Sequence, residues 1–385
     1  MTKDAKLKRV VRRHAQETGQ RYTEALTDLE ELEARMHHVH RPVGAQLVVH
    51  LRQRYGIDAV AATRLGAHHP YVFRIDRKDG DPWVARAFPP ARPRAGAEGD
   101  AAIMRFLERH DFPGERLAVD DAVSDFDGSS VLVTRFVEDR PFPDPTEKLG
   151  SMADLLGRLH ALPLDESVDR PGGAEGGSDS SREGGPRQDL LAALSFLDSV
   201  DTKVARNERV EFEALREQVR TAGAGEGLPE ALVHGNLLHN PDHVLLADAG
   251  VVAINWKGAG RGPRLSDLAW LMWGTHRDPA AVDAIATAYR SHIELTDAEL
   301  DRFEEVMQVR PLYLACLVYR RNVLLGRDED VRRYNDPDYI AFTAAAARAA
   351  FGKRAGVRAK RSTPPGSPSP RAAIAAASPD KERQQ

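Results

Sequence analysis

Several features that would point to other protein classes are scarce or missing in this chain of 385 residues. Cys316 is its only cysteine, which excludes an internal disulfide and favours a cytoplasmic setting. No run of about 18 apolar residues occurs, so a transmembrane helix and a membrane partner are not expected. The charged segment 1–13 is not followed by an apolar stretch, and we therefore expect no secretory signal. The net charge of −4 gives no reason to expect a nucleic-acid partner.

The two ends of the chain differ in composition from its middle. Residues 3–38 lack proline and place apolar side chains at helical spacing, which predicts two short helices interrupted at Gly19. Residues 1–40 are therefore interpreted as an N-terminal helical extension, which either packs on its own chain or binds a protein partner. Residues 353–385 are basic and rich in Pro, Ser and Ala, which predicts a disordered tail. Both basic ends are interpreted as solubilising, with weak binding to nucleic acid or anionic lipid as the alternative.

Strand patterns dominate the first half of the remaining chain. Residues 71–75 and 83–88 are β-prone, and Asp79-Gly80 between them predicts a hairpin. A helix is expected at 96–110 and a further strand at 131–137.

The second half is predicted to be mainly helical, with one strand pair. Helices are expected at 152–162, 189–199, 206–222 and over most of 266–351. The strands 244–246 and 251–255 are expected to form a hairpin. Residues 170–188 are rich in Gly, Ser and charge, which predicts a flexible loop.

Two motifs in the second half carry the functional signal. Leu-Val-His-Gly-Asn-Leu-Leu-His-Asn stands at 232–240, and Ile-Asn-Trp-Lys-Gly at 254–258 is followed by Ser-Asp-Leu-Ala at 266–269. In order and spacing, this set resembles the His-Gly-Asp catalytic loop and the Asp-Trp segment of the aminoglycoside phosphotransferase and choline kinase family. The resemblance extends over about 45–340.

The resemblance implies an α+β, bilobal protein-kinase-like fold. A small, β-rich N-lobe is expected at 41–138 and a larger, mainly helical C-lobe at 139–352. It also implies ATP and Mg²⁺ as cofactors, with a hydroxyl group of a small molecule as the phosphate acceptor.

The family's functional roles transfer to particular positions. Nucleotide contacts are implied for Gly66, Arg86, Phe136 and Val137, with Glu98 or Asp100 orienting the guanidinium of Arg86. His234 is expected to orient the catalytic loop, and Asp267 to brace it through backbone hydrogen bonds.

Both acidic positions that the chemistry needs are asparagine in this chain. Asn236 stands at the position of the catalytic Asp, and Asn255 at the position of the Asp that binds Mg²⁺. A neutral amide neither accepts a proton as a carboxylate does nor supplies the anionic oxygen that Mg²⁺ prefers. His243 aligns with a further metal position, and the adjacent Asp242 is a candidate replacement acid. Lys257 is expected either to reach a phosphate or to be a solvated loop residue.

Three interpretations of function are therefore open. The first is a degenerate family member that keeps the interlobe cleft, binds nucleotide or a small ligand or serves as a scaffold, and has lost catalysis or performs it very slowly. The second is an active ATP-dependent phosphotransferase that uses Asp242, with an aminoglycoside, a macrolide, a choline-like alcohol or a sugar as acceptor. The third, compatible with both, is a protein-binding role of the N-terminal helices or the basic tail.

Overall fold

A computed structural model describes residues 11–12, 15, 44–65, 71–90, 92–164, 186–235, 237 and 243–352. All of these residues belong to one compact unit, Met1–Gly352. Most of the predicted N-terminal extension, most of the predicted loop at 170–188 and the C-terminal tail lie outside the described residues, as does Gly66. Among the helices described, none combines the length and the apolar character needed to span a membrane.

An antiparallel sheet forms the first part of the molecule. Its strands are β1 Ala59–Arg64, β2 Val72–Arg77, β3 Trp83–Ala87, β4 Val123–Phe126 and β5 Ser129–Arg135. They are arranged in the order β1-β2-β3-β5-β4. Helix α1, Gly44–Tyr55, packs on β1, and helix α2, Arg94–Arg109, packs on β4 and β5.

Local sequence explains how this sheet is built. Strand β3 lies in the centre of the sheet and every one of its residues is buried, as expected for a strand that is covered on both faces. The predicted Asp79-Gly80 hairpin is confirmed between β2 and β3. Asp127 and Gly128 make the two-residue turn between β4 and β5, and both have positive φ, which the right-handed twist of a hairpin favours.

The second part of the molecule is mainly helical, as predicted. Its helices are α3 Pro145–His160, α4 Pro186–Asp198, α5 Arg209–Thr221, α6 Arg264–Trp273, α7 Pro279–Arg290, α8 Asp297–Asp301, α9 Phe303–Met307, α10 Val309–Leu325 and α11 Pro337–Gly352. Asp144 and Asp278 cap α3 and α7, and a proline follows each cap at the first helical position. Helices α4, α5 and α10 enclose a second hydrophobic core, which Trp270 of α6 joins.

Two short hairpins position the motif residues. Strand β6, Glu230–Val233, pairs with β9, Gly260–Pro263, and strand β7, Val244–Ala247, pairs with β8, Gly250–Ala253. The β7–β8 hairpin was predicted. The β6–β9 pair was not, because the Gly-Arg-Gly-Pro sequence of β9 has residues that are depleted in strands.

Two predicted boundaries were wrong. Helix α4 begins at Pro186, inside the segment predicted as a loop, since proline is well suited to the first turn of a helix. Helix α3 begins at Pro145, about two turns before the predicted start, because Asp144 caps it there.

Candidate active site

The loop after β6 is held in place by a carboxylate from α6. The backbone N–H groups of His234 and Gly235 donate to Asp267 at 2.6 and 2.9 Å. Strand β9 pairs with β6 and leads directly into α6, which brings these residues together although they are about 33 positions apart. Gly235 has φ +78°, a conformation that glycine adopts without steric cost. The backbone hydrogen bonds expected of Asp267 are therefore present.

The imidazole of His234 is fully buried beneath this loop. Its Nε2 lies 3.0 Å from the carbonyl oxygen of Ile254, to which it donates, and its ring centroid is 4.8 Å from that of Trp256. Burial lowers the pKa of His234, which makes the neutral ring the prevailing form near pH 7. These contacts fit the predicted role of orienting the loop.

A second buried histidine, at the end of α3, lies beside Asp267. His160 Nδ1 lies 2.8 Å from the hydroxyl of Tyr289, and His160 Nε2 lies 3.7 Å from Asp267 Oδ2. Burial lowers the pKa of His160 as well. Sequence reasoning assigned no role to this histidine, because its partners come from α6 and α7, far along the chain.

Asn255 adopts the left-handed conformation, with φ 67° and ψ 66°. Asparagine is among the few residues other than glycine that tolerate this region. Its backbone N–H donates to Glu115 Oε1 at 2.6 Å, and its side-chain Nδ2 lies 2.8 Å from Nε2 of the buried His243. The two positions expected to face a metal ion are thus hydrogen-bonded to each other.

Asn236, predicted at the catalytic position, and Asp242, the candidate replacement acid for the metal, lie outside the described residues. The residues that directly follow them in the sequence, Leu237 and His243, are buried. Within the described ranges, no group of three or more His, Cys, Asp or Glu side chains is arranged to hold a metal ion.

Arg86 is oriented by a residue that the sequence analysis did not select. Its NH1 lies 2.9 Å from Glu115 Oε2, and both side chains are buried. The hydroxyl of Thr134 donates to the same carboxylate oxygen at 3.3 Å. Glu115 reaches this point because its backbone N–H donates to Ala253 O, which attaches the segment after α2 to the end of β8.

The prediction that Glu98 or Asp100 orients Arg86 was wrong. Asp100 is buried and makes a bidentate ion pair with Arg92, at 2.9 and 3.0 Å. Glu98 is exposed and pairs with Arg94 one turn away on α2. In the sequence, Glu115 is distinguished only by its place after Pro113-Gly114, which is too weak a signal to identify it as the partner of Arg86.

Lys257 is not a solvated loop residue, which was one of the two alternatives predicted for it. The turn Trp256–Gly258 packs against α2, so that Lys257 is half-buried near the Arg92–Asp100 pair. Burial lowers its pKa to about 7, and the neighbouring Arg92 guanidinium acts in the same direction.

Phe136 and Val137, which were predicted to contact the nucleotide, lie between the sheet and α3. Phe136 is half-buried, with the guanidinium of Arg74 at 4.4 Å from its ring centroid, and Val137 follows it. Arg140 N–H donates to Leu246 O at 3.0 Å, which joins this segment to β7. The nucleotide contacts of Phe136 and Val137 stay a prediction.

Comparison with known proteins is consistent with this architecture. Residues 60–305 match the APH sequence family, described as a phosphotransferase enzyme family. No curated protein sequence matches the chain.

Solved structures are similar to this chain at low sequence identity. Choline kinase LicA from Streptococcus pneumoniae has a TM-score of 0.53 and 12% identity, with 77% of this chain and 97% of LicA covered. A choline/ethanolamine kinase family protein from Mesorhizobium loti gives 0.53 and 17%, with coverage of 79% and 98%. The amicoumacin kinase hAmiN, solved with AMP-PNP, Ca²⁺ and Ami, gives 0.54 and 14%, with coverage of 83% and 96%. These similarities confirm the kinase-like fold, with its small antiparallel sheet and helical second lobe.

Proposed function

The chain belongs to the APH phosphotransferase enzyme family, and we propose that it is a catalytically degenerate member that still binds nucleotide in the interlobe cleft. The observation that carries this proposal is the 2.8 Å contact between Asn255 Nδ2 and His243 Nε2. It joins the two positions that would otherwise be directed at a metal ion.

The chemistry of these two side chains is poorly suited to Mg²⁺. Magnesium is bound through hard oxygen ligands, above all carboxylates, in near-octahedral geometry. Asn255 has one neutral amide oxygen, and the Nε2 atom of the buried His243 contacts the amide nitrogen of Asn255. The nearby carboxylate of Glu115 already accepts from Asn255 N–H and pairs with Arg86, so its charge is largely compensated.

The predicted catalytic position also lacks a carboxylate. Asn236 follows the braced Gly235 in the sequence, at the position where the family carries its catalytic carboxylate. General-base assistance contributes roughly 10²–10⁴ in rate, and an amide cannot supply it. The combined loss of base and metal ligand favours binding over turnover.

Features that support nucleotide binding are retained. Arg86 is a permanent cation on the central strand β3, fixed by Glu115 and Thr134, and an arginine fork is well suited to phosphate oxygens. The backbone of the catalytic loop is braced by Asp267 as expected for a functional member. The cofactors of an active member would be ATP and Mg²⁺, of which only ATP fits the residues present.

An active phosphotransferase that uses Asp242 is the second candidate. Asp242 immediately precedes His243 in the sequence, and the side chain of His243 contacts Asn255. A carboxylate there would restore one anionic ligand.

ATP binding by the purified chain, measured by calorimetry with and without Mg²⁺, tests the proposal. The native protein is expected to bind ATP with an affinity that Mg²⁺ changes by less than about threefold. The double variant Asn236→Asp, Asn255→Asp is expected to gain a magnesium dependence of about tenfold or more, equivalent to about 1.4 kcal/mol. The double variant Gln53→Glu, Asn207→Asp, which adds two carboxylates at exposed positions, is the charge-matched control.

Two other outcomes would contradict the proposal. Strong magnesium dependence in the native protein, abolished by Asp242→Ala, would establish the second candidate, and acceptors would then be screened for turnover. Absence of ATP binding in both proteins would contradict both candidates.

A further inference from the structure

The segment that follows α2 is attached to the second lobe by its backbone. The N–H group of Glu115 donates to Ala253 O at 2.9 Å, and the N–H group of Ala253 donates to Pro113 O at 2.9 Å. Gly114 lies so close to Trp256 that an added Cβ would be 3.2 Å from the indole ring. Glu115 is therefore fixed to the end of β8 by hydrogen bonds in both directions.

The carboxylate of Glu115 joins this attachment to the sheet. Its Oε2 atom lies 2.9 Å from NH1 of Arg86, which projects from the central strand β3. Its Oε1 atom accepts from the backbone N–H of Asn255 at 2.6 Å. The side chains of Arg86 and Glu115 are only 8% and 2% exposed, and separating a buried ion pair leaves an uncompensated charge. One carboxylate thus holds a cation of the first lobe and the backbone of Asn255 in the second.

The carboxylates of α2 are engaged with other arginines. Asp100 pairs with Arg92, Glu98 with Arg94, and Glu108 lies within 4.0 Å of Arg116. The Asp100 pair is the most buried of these, with both side chains 1% exposed, and the guanidinium of Arg92 also stacks on Phe88 at 4.2 Å. In the described part of the chain, Arg86 is accordingly held by a carboxylate that lies outside α2.

From Asn255 the contacts continue to His243. The side-chain Nδ2 of Asn255 lies 2.8 Å from Nε2 of His243, and the backbone N–H of Ile254 donates to His243 O at 2.9 Å. Because His243 is buried, a shift of the Asn255 backbone displaces its imidazole contact as well. Arg86, Glu115, Asn255 and His243 therefore form a continuous series of polar contacts across the two lobes.

An anion that binds Arg86 changes the charge balance at Glu115. The guanidinium has five N–H donors, and the structure uses NH1 for Glu115 and Thr134. A phosphate group on Arg86 shares its positive charge and weakens the attraction between Arg86 and Glu115. The carboxylate then becomes a stronger acceptor for the N–H group of Asn255.

We infer that Glu115 is a positioning residue that couples anion binding at Arg86 to the Asn255–His243 pair, and that it does so independently of the carboxylates of α2. The inference rests on the proposed function only in taking Arg86 as the residue that meets a phosphate group. It assigns to the segment after α2, rather than to α2 itself, the control of both the cation and the predicted metal position.

NMR spectroscopy of the ¹⁵N-labelled full chain, titrated with ATP in the absence of Mg²⁺, tests the coupling. ATP is expected to move the backbone amide proton of Asn255 downfield in the native protein and to leave it in place in Glu115→Gln. Glu115→Gln is also expected to weaken ATP binding about tenfold. Asp100→Asn should keep the Asn255 shift and should change ATP affinity by less than about twofold. If Asp100→Asn fails to fold, Glu98→Gln, at a half-exposed side chain, takes its place.

Two results would overturn the inference. One is an ATP-induced shift of the Asn255 amide that persists in Glu115→Gln, since the coupling would then bypass Glu115. The other is loss of that shift in a folded Asp100→Asn or Glu98→Gln variant, since the coupling would then depend on α2.

A measurement without nucleotide separates this inference from the nucleotide proposal. If the native protein binds no ATP, the nucleotide proposal fails, and the coupling is tested in the free protein with Arg86→Met or, if that variant does not fold, Arg86→Lys. Weakening the pair in this way should move the Asn255 amide proton downfield as well. An unchanged Asn255 amide in a folded Arg86 variant would overturn the coupling, whatever the affinity for ATP.

Discussion

Replacing Asp267 by asparagine should release the backbone of His234 and Gly235, which precede Asn236 in the sequence. The native carboxylate accepts from the backbone N–H groups of His234 and Gly235, at 2.6 and 2.9 Å. Hydrogen bonds to a charged group contribute about 1.5–3 kcal/mol each. The amide keeps one acceptor oxygen but turns an NH₂ group toward the other donor. We therefore expect a loss of about 2–4 kcal/mol in the free energy of unfolding.

Thermal unfolding and amide hydrogen exchange measure this effect. For cooperative unfolding of a unit of this size, such a loss corresponds to a decrease in Tm of about 3–6 °C. The amides of His234 and Gly235 should exchange faster than those of β6, which is held by its pairing with β9. The control is Asp248→Asn, since the side chain of Asp248 is 96% exposed.

Two results would refute the reasoning about Asp267. One is a Tm decrease no larger than that of Asp248→Asn. The other is unchanged exchange at His234 and Gly235, which would mean that the carboxylate does not hold their N–H groups in solution.

The remaining predictions concern two other buried charges. Arg86→Met should destabilise the protein by about 3–5 kcal/mol because it leaves the carboxylate of Glu115 buried without its cationic partner. Adding Glu115→Gln should recover a large part of this loss, measured by urea denaturation. If the free-energy changes of the two substitutions simply add, the pairing is contradicted. The pKa of Lys257 falls from its ordinary value of 10.5 to about 7 in the folded protein. The unfolded chain therefore binds more protons between these pH values, and this residue makes stability rise with pH over that interval. Lys257→Met should remove a rise of roughly 1–3 kcal/mol, allowing for solvent screening at a half-buried side chain. Tm measured at pH 7 and pH 9.5 for both proteins tests this, and identical pH dependences would show that Lys257 is solvated.

The fold and the position of the loop could be predicted from local sequence. The His-Gly-Asn motif, the hairpin after it and the Asp-Leu-Ala start of α6 lie close together in sequence, and each requires a particular backbone conformation. The carboxylate of Asp267 makes the backbone hydrogen bonds that the resemblance implies. The left-handed conformations of Asn255 and Gly235 were not predicted, although both residue types tolerate them. The β6–β9 pair was not predicted, because the two strands are far apart in sequence and β9 lacks residues that favour strands.

The partners of buried charges could not be predicted in this way. Asp100 and Glu98 stand on the expected helix, yet Arg86 pairs with Glu115, which the segment after α2 brings to the end of β8. Helical spacing identifies the face on which a carboxylate lies, but it does not identify the cation on the opposing element. The pairing of Asp189 with Arg310 joins α4 to α10 and has no local signature at all.

The sequence by itself determined the family and the bilobal fold, and from it we predict that Asn236 and Asn255 stand at the two acidic positions. These properties reside in contiguous motifs whose residue types are dictated by backbone geometry and by the chemistry of phosphoryl transfer. Only the tertiary structure decided that Glu115 holds Arg86, that Lys257 is half-buried and that Asn255 meets His243. The physical reason is that ion pairing and desolvation depend on which distant side chains share a buried volume, and packing alone determines that.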